Sequence, residues 1–72
     1  MITATFTGAT VSESGKDRNE AYVRAARTWV KMYGKLNRPR QIVLLKDGIP
    51  YADFEMPLEF WSALTAGRVA KE

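Results

Sequence analysis

The sequence predicts a small α+β fold in which one β-sheet packs against two helices. Three observations predict it: an alternating stretch at the N-terminus, a long amphipathic segment in the middle, and an Asp-Gly pair between two apolar runs. We expect the order β-α-β-β-α within one domain over residues 1–72. The expected elements are a strand at 2–7, a helix at 18–36, a hairpin at 41–54 and a helix at 57–66.

The N-terminal strand has one apolar face and one polar face. Ile2, Ala4 and Phe6 alternate with threonines, which is the period-2 pattern of a half-buried strand. Residues 12–17, SESGKD, have the composition of a turn. We therefore expect a single strand before the first helix.

The central helix begins at Asp17, which has Glu20 at the spacing of a capping box. Its apolar face is formed by Tyr22, Ala26, Trp29, Tyr33 and Leu36. The sequence leaves two possible positions for the end of this helix. Either Gly34 caps it in the left-handed conformation, or it continues until Pro39 stops it. We favour an end near Leu36, because this keeps Leu36 on the apolar face.

The Asp47-Gly48 pair predicts a hairpin with a two-residue turn. The resulting cross-strand pairs are Leu45 with Pro50, Val43 with Ala52, and Gln41 with Phe54. The opposite face carries Ile42, Leu44, Tyr51 and Asp53. If the helices cover only the Val43 face, then Ile42, Leu44 and Tyr51 form an exposed apolar interface for a partner. If the second helix folds over that face, they belong to the core.

The second helix has recognisable start and stop residues. Pro57 suits its first turn, and Gly67 suits its end. Leu58, Trp61 and Leu64 form an apolar stripe. We expect this stripe to pack against the rest of the core.

The composition excludes several classes of site. The chain has 72 residues and contains neither cysteine nor histidine. It therefore lacks disulfides, thiolate ligands and the commonest general base and zinc ligand. We expect no enzyme activity, no catalytic residues, no metal and no cofactor. Because a core of this size is only marginally stable, a homodimer is one way to bury more surface.

No apolar stretch is long enough to cross a bilayer, and the N-terminus lacks the charged and apolar regions of a signal peptide. We therefore expect a cytoplasmic protein without a membrane partner.

Positive charge is concentrated in the middle of the chain. The net charge is +3, but residues 16–46 hold nine Lys and Arg against Asp17 and Glu20 and carry +7, whereas residues 47–72 carry −3. Basic residues recur at three-and-four spacing opposite the apolar face of the central helix and continue beyond it. The candidate partner-binding residues are Arg24, Arg27, Lys31, Lys35, Arg38 and Arg40.

We expect a small non-catalytic binding protein that docks on a larger protein or assembly with an acidic surface and modulates it. A surface with both signs of charge suits such docking, and the acidic C-terminal half would repel phosphates. The alternative is a nucleic-acid-binding protein that contacts the phosphate backbone without sequence preference. A third hypothesis is that the basic residues only keep the helix surface solvated.

Overall fold

Over residues 1–8 and 11–66, which the computed structural model describes, the chain forms a four-stranded antiparallel sheet with two helices on one face. The strands are β1 (Ile2–Phe6), β2 (Val11–Gly15), β3 (Gln41–Lys46) and β4 (Ile49–Glu55), and the helices are α1 (Arg18–Tyr33) and α2 (Leu58–Thr65). The strands lie side by side in the order β2-β1-β3-β4. The predicted α+β fold with one small sheet is confirmed.

The predicted element order β-α-β-β-α is wrong, because a second strand precedes the first helix. The observed order is β-β-α-β-β-α, and β2 pairs with β1 at one edge of the sheet. Apart from the end of α1, the remaining bounds differ by at most one residue: β1 ends at Phe6, β4 continues to Glu55, and α2 spans Leu58–Thr65. The predicted stop at Gly67 lies outside the described residues.

The residues of β2 suggested a turn because they are mostly small and polar. In the structure Ser12 and Ser14 face away from the helices, and their hydroxyls hydrogen-bond those of Thr5 at 2.7 Å and Thr3 at 2.8 Å. On the other side of the strand Val11 is buried in the core. An edge strand with one solvated face needs few apolar residues, so its sequence resembles that of a loop.

Helix α1 starts as predicted and ends earlier than predicted. The Asp17 carboxylate accepts the Glu20 backbone N–H at 2.9 Å, which caps the first turn. The helix ends at Tyr33, so the predicted end near Leu36 is wrong. Gly34 adopts φ 85°, a conformation that glycine takes at little cost, and its N–H closes the last turn on the Val30 carbonyl.

The β3–β4 hairpin has the predicted turn and an unpredicted bulge. Asp47 and Gly48 both have positive φ, as the turn type favoured by Asp-Gly requires. Leu45 pairs with Pro50 as predicted, but the next pair is Leu44 with Ala52. Tyr51 is therefore an extra residue in β4, and all later pairs shift by one.

The bulge changes which residues of β4 face the helices. The predicted pairing of Val43 with Ala52 is wrong, because Val43 lies opposite Asp53. On β3, Ile42 and Leu44 are buried, so the exposed apolar interface is wrong and the alternative that they belong to the core holds. They pair with residues of β1 that already face the helices, and side chains of paired residues share one face of a sheet.

The core is centred on the ring of Phe6. Trp29 from α1 and Trp61 from α2 each pack against it edge to face, with ring centroids 6.3 Å and 6.1 Å away. Phe6 and both tryptophans are buried. One residue of β1 thus joins both helices to the sheet.

The face of β3 that the helices cover can be tested with two isoleucines of the same hairpin. Ile42→Ala should lower the free energy of unfolding by about 2–5 kcal/mol, because it opens a cavity in the core. Ile49→Ala should change it by no more than about 0.5 kcal/mol, since Ile49 is 69% exposed. Urea denaturation measures both. A larger loss for Val43→Ala than for Ile42→Ala would show that β3 turns its other face to the helices.

Candidate functional site

The structure distributes the six predicted basic residues over different parts of the surface. Arg24 lies next to β2, where its guanidinium donates to the Ser14 carbonyl at 3.2 Å and lies 3.9 Å from the Glu20 carboxylate. Arg40 lines the groove where β3 begins and β4 ends, together with Glu55 and Arg38. Arg24 therefore has acceptors within this chain, whereas Arg40 has no carboxylate within 4.0 Å among the described residues. The other four predicted residues line the grooves next to the last turn of α2.

We call these four residues the basic end: Arg27, Lys31, Lys35 and Arg38. Arg27 and Lys31 border a groove between α1 and the last turn of α2. Lys35 and Arg38 border a second groove on the other side of that turn, and Thr65 contributes to both grooves. In the described part of the chain none of the four lies within 4.0 Å of a carboxylate.

The loop that carries Lys35 and Arg38 is held by the chain's two tryptophans. The Trp61 indole N–H donates to the Lys35 carbonyl at 2.8 Å, and the Trp29 indole N–H donates to the Asn37 carbonyl. The Asn37 amide in turn donates to the Tyr33 carbonyl. Buried rings thus fix the backbone on both sides of Leu36.

Leu36 projects from this fixed loop into solvent. It is 93% exposed, whereas its place on the predicted apolar helix face required burial. Leu58, predicted in the apolar stripe of α2, is 63% exposed across the same groove. We call the cleft between them the Leu36 groove; its volume is about 350 Å³. The sequence signal for this surface was the alternative in which Gly34 ends the helix.

The uncovered face of the sheet combines polar and apolar side chains. It carries the two Thr–Ser hydroxyl pairs of β1 and β2, with Val43 and Leu45 of β3 half-buried beside them. The predicted residue Tyr51 is 52% exposed and occupies the bulge of β4. This face therefore lacks the apolar interface predicted for it.

Another groove, between α1, β4 and α2, is lined by aromatic rings. Tyr22 and Phe60 pack edge to face with centroids 5.0 Å apart, and Phe54 lies beside them. Burial raises the pKa of the Tyr22 hydroxyl above its ordinary value of 10.0; the charge of Arg18 opposes this shift and Tyr51 adds to it. The neutral form of Tyr22 is therefore favoured by folding.

The described residues contain no group of three or more acidic, histidine or cysteine side chains arranged to hold a metal ion. Neither α1 nor α2 has the length and apolar character needed to cross a membrane. Comparison of the chain with known protein families, with curated proteins and with solved structures finds no match.

The hydrogen bond from Trp61 to the loop can be tested with Trp61→Phe. The variant leaves the Lys35 carbonyl without its donor, so we expect a loss of about 1–3 kcal/mol in the free energy of unfolding. Trypsin cleavage after Lys35 under native conditions should become faster. Ile42→Ala is the control, because it lowers stability without touching the loop. Slower cleavage of Trp61→Phe than of an equally destabilised control would contradict the role of this hydrogen bond.

The raised pKa of Tyr22 predicts a loss of stability in alkali. Above about pH 10 the tyrosine ionises first in the unfolded chain, so unfolding becomes more favourable as pH rises towards the folded-state pKa. Tyr22→Phe should reduce this alkaline loss, as measured by urea unfolding at a series of pH values. Tyr33→Phe, at a more exposed tyrosine, is the control. Equal alkaline loss in wild type and Tyr22→Phe would refute this prediction.

Proposed function

We propose that the protein is a small non-catalytic binding protein that docks through its basic end on an acidic surface of a larger protein and modulates that protein. The observation that carries this proposal is the grouping of four cations beside exposed apolar side chains. Arg27, Lys31, Lys35 and Arg38 have no carboxylate partner within the described residues. Their charges are therefore free to interact with a partner's carboxylates.

The composition of the basic end favours a protein partner over nucleic acid. Binding to a phosphate backbone depends on positive charge. The exposed side chains of Leu36 and Leu58, which lie beside these cations, would add nothing to such binding. Trp61 is the aromatic residue among the described residues that line the Leu36 groove. Its ring is buried, so a nucleic-acid base has no aromatic face on which to stack. Protein interfaces, in contrast, combine an apolar centre with a polar rim.

The experiment compares two double variants with the same change in charge. Lys35→Glu with Arg38→Glu alters the basic end, and Lys16→Glu with Lys46→Glu alters exposed lysines elsewhere; each pair lowers the net charge from +3 to −1. Each protein is immobilised and exposed to nuclease-treated lysate of its source cell. We expect a bound protein that the basic-end variant loses by about tenfold or more, equivalent to about 1.4 kcal/mol, and that the control retains.

Two outcomes would contradict the proposal. If the wild type and both double variants capture the same proteins, the cations of the basic end serve only to keep the surface solvated. Capture from untreated lysate that is absent from nuclease-treated lysate, together with binding to random-sequence DNA that falls steeply with salt, would support the phosphate-backbone alternative.

A further inference from the structure

We propose that the partner binds the Leu36 groove with an acidic amphipathic α-helix, whose apolar residues pack between Leu36 and Leu58. This inference rests on the proposed function and specifies the element that the partner contributes. It starts from the exposure of two leucines that lie across one groove from each other. Removing apolar surface from water is favourable, so a partner that covers these two leucines would bind more tightly for doing so.

The groove is formed before any partner arrives. Hydrogen bonds from the buried Trp61 and Trp29 fix the carbonyls of Lys35 and Asn37, which flank Leu36. Leu58 lies in the first turn of α2. Binding therefore need not order a flexible loop, and less conformational entropy is lost than at a mobile site.

The backbone around the groove is poorly suited to strand addition. An extended peptide would need free backbone groups to pair with. The carbonyls of Lys35 and Asn37 already accept the two indole N–H groups, and the opposite wall is helical. Recognition at this place must therefore depend on side chains.

The groove also differs from one that binds a polyproline helix. Such grooves display aromatic side chains, whereas the exposed apolar side chains here are leucines and Trp61 is buried. A groove between aliphatic walls suits a helix that presents apolar residues at i, i+3, i+4 and i+7. With most of Leu36 exposed, a small molecule would also remain largely in water.

The positive charge around the groove favours a partner helix with negative charge. Lys35 and Arg38 border the Leu36 groove, and Arg27 and Lys31 lie across the last turn of α2. Among the described residues, neither groove is lined by a carboxylate. Glutamates or aspartates flanking the apolar stripe of the partner would meet these cations.

The test uses a designed peptide of about 18 residues with leucines at i, i+3, i+4 and i+7, glutamates beside the leucines and alanines at the remaining positions, because glutamates at every other position would repel one another and oppose helix formation. A second peptide has the same composition, but its leucines are placed so that they share no helix face. Affinities are measured by fluorescence anisotropy. The two indole N–H signals of the protein, from Trp29 and Trp61, report contact at the loop in NMR spectra.

We expect the amphipathic peptide to bind about tenfold more tightly than the scrambled one. Leu36→Ser should remove this difference, and Ile49→Ser, at another exposed apolar residue, should leave it unchanged. Thermal unfolding should give both variants the melting temperature of the wild type. The indole signals should shift only with the amphipathic peptide.

The results separate this inference from the proposed function. Equal affinity for both peptides, lost in the variant with Lys35→Glu and Arg38→Glu, would overturn the helix inference and leave acidic docking intact. No binding of either peptide would also overturn it, and the capture experiment would then decide the proposed function independently. Concentration-dependent dimerisation that Leu36→Ser abolishes would assign the groove to a second copy of the chain and overturn the inference.

Discussion

Two tryptophans pack around Phe6 and connect the sheet, both helices and the loop after α1. Each ring meets Phe6 edge to face, so β1, α1 and α2 converge on one buried side chain. Both indoles also direct their polar N–H groups to carbonyls of the loop after α1. A buried indole needs an acceptor, and here that need fixes the loop. The same two tryptophans therefore fill the core and hold the loop that carries Leu36 on the surface.

The surface shaped by this arrangement combines charge with apolar side chains. The basic residues recur along the sequence, but only four of the six predicted ones are grouped at one end of the molecule. Arg24 interacts with β2 and Glu20 instead, which reduces its availability to a partner. Leu36 and Leu58 add the apolar area that charge alone lacks. Such a combination gives orientation through charge and affinity through burial.

The bulge assigns the faces of β4, whereas pairing with β1 assigns the faces of β3. Without the bulge at Tyr51, the hairpin would place Val43 opposite Ala52. With the bulge, Asp53 takes that place, and the side of β3 that faces the helices is set by its pairing with β1. Ile42 therefore belongs to the core, although hairpin geometry alone predicted it on a possible interface. Register errors of one residue exchange the two faces of a strand.

Features that depend on local interactions follow from the order of the residues. These are the α+β class, the cap at Asp17, the Asp47-Gly48 turn and the concentration of positive charge. Features that depend on distant partners follow only from how the elements pack together. β2 forms because β1 lies beside it, and Leu36 is exposed because Gly34 ends α1 and two buried indoles hold the next residues. Periodicity records which residues share a face, but only packing decides which face is covered.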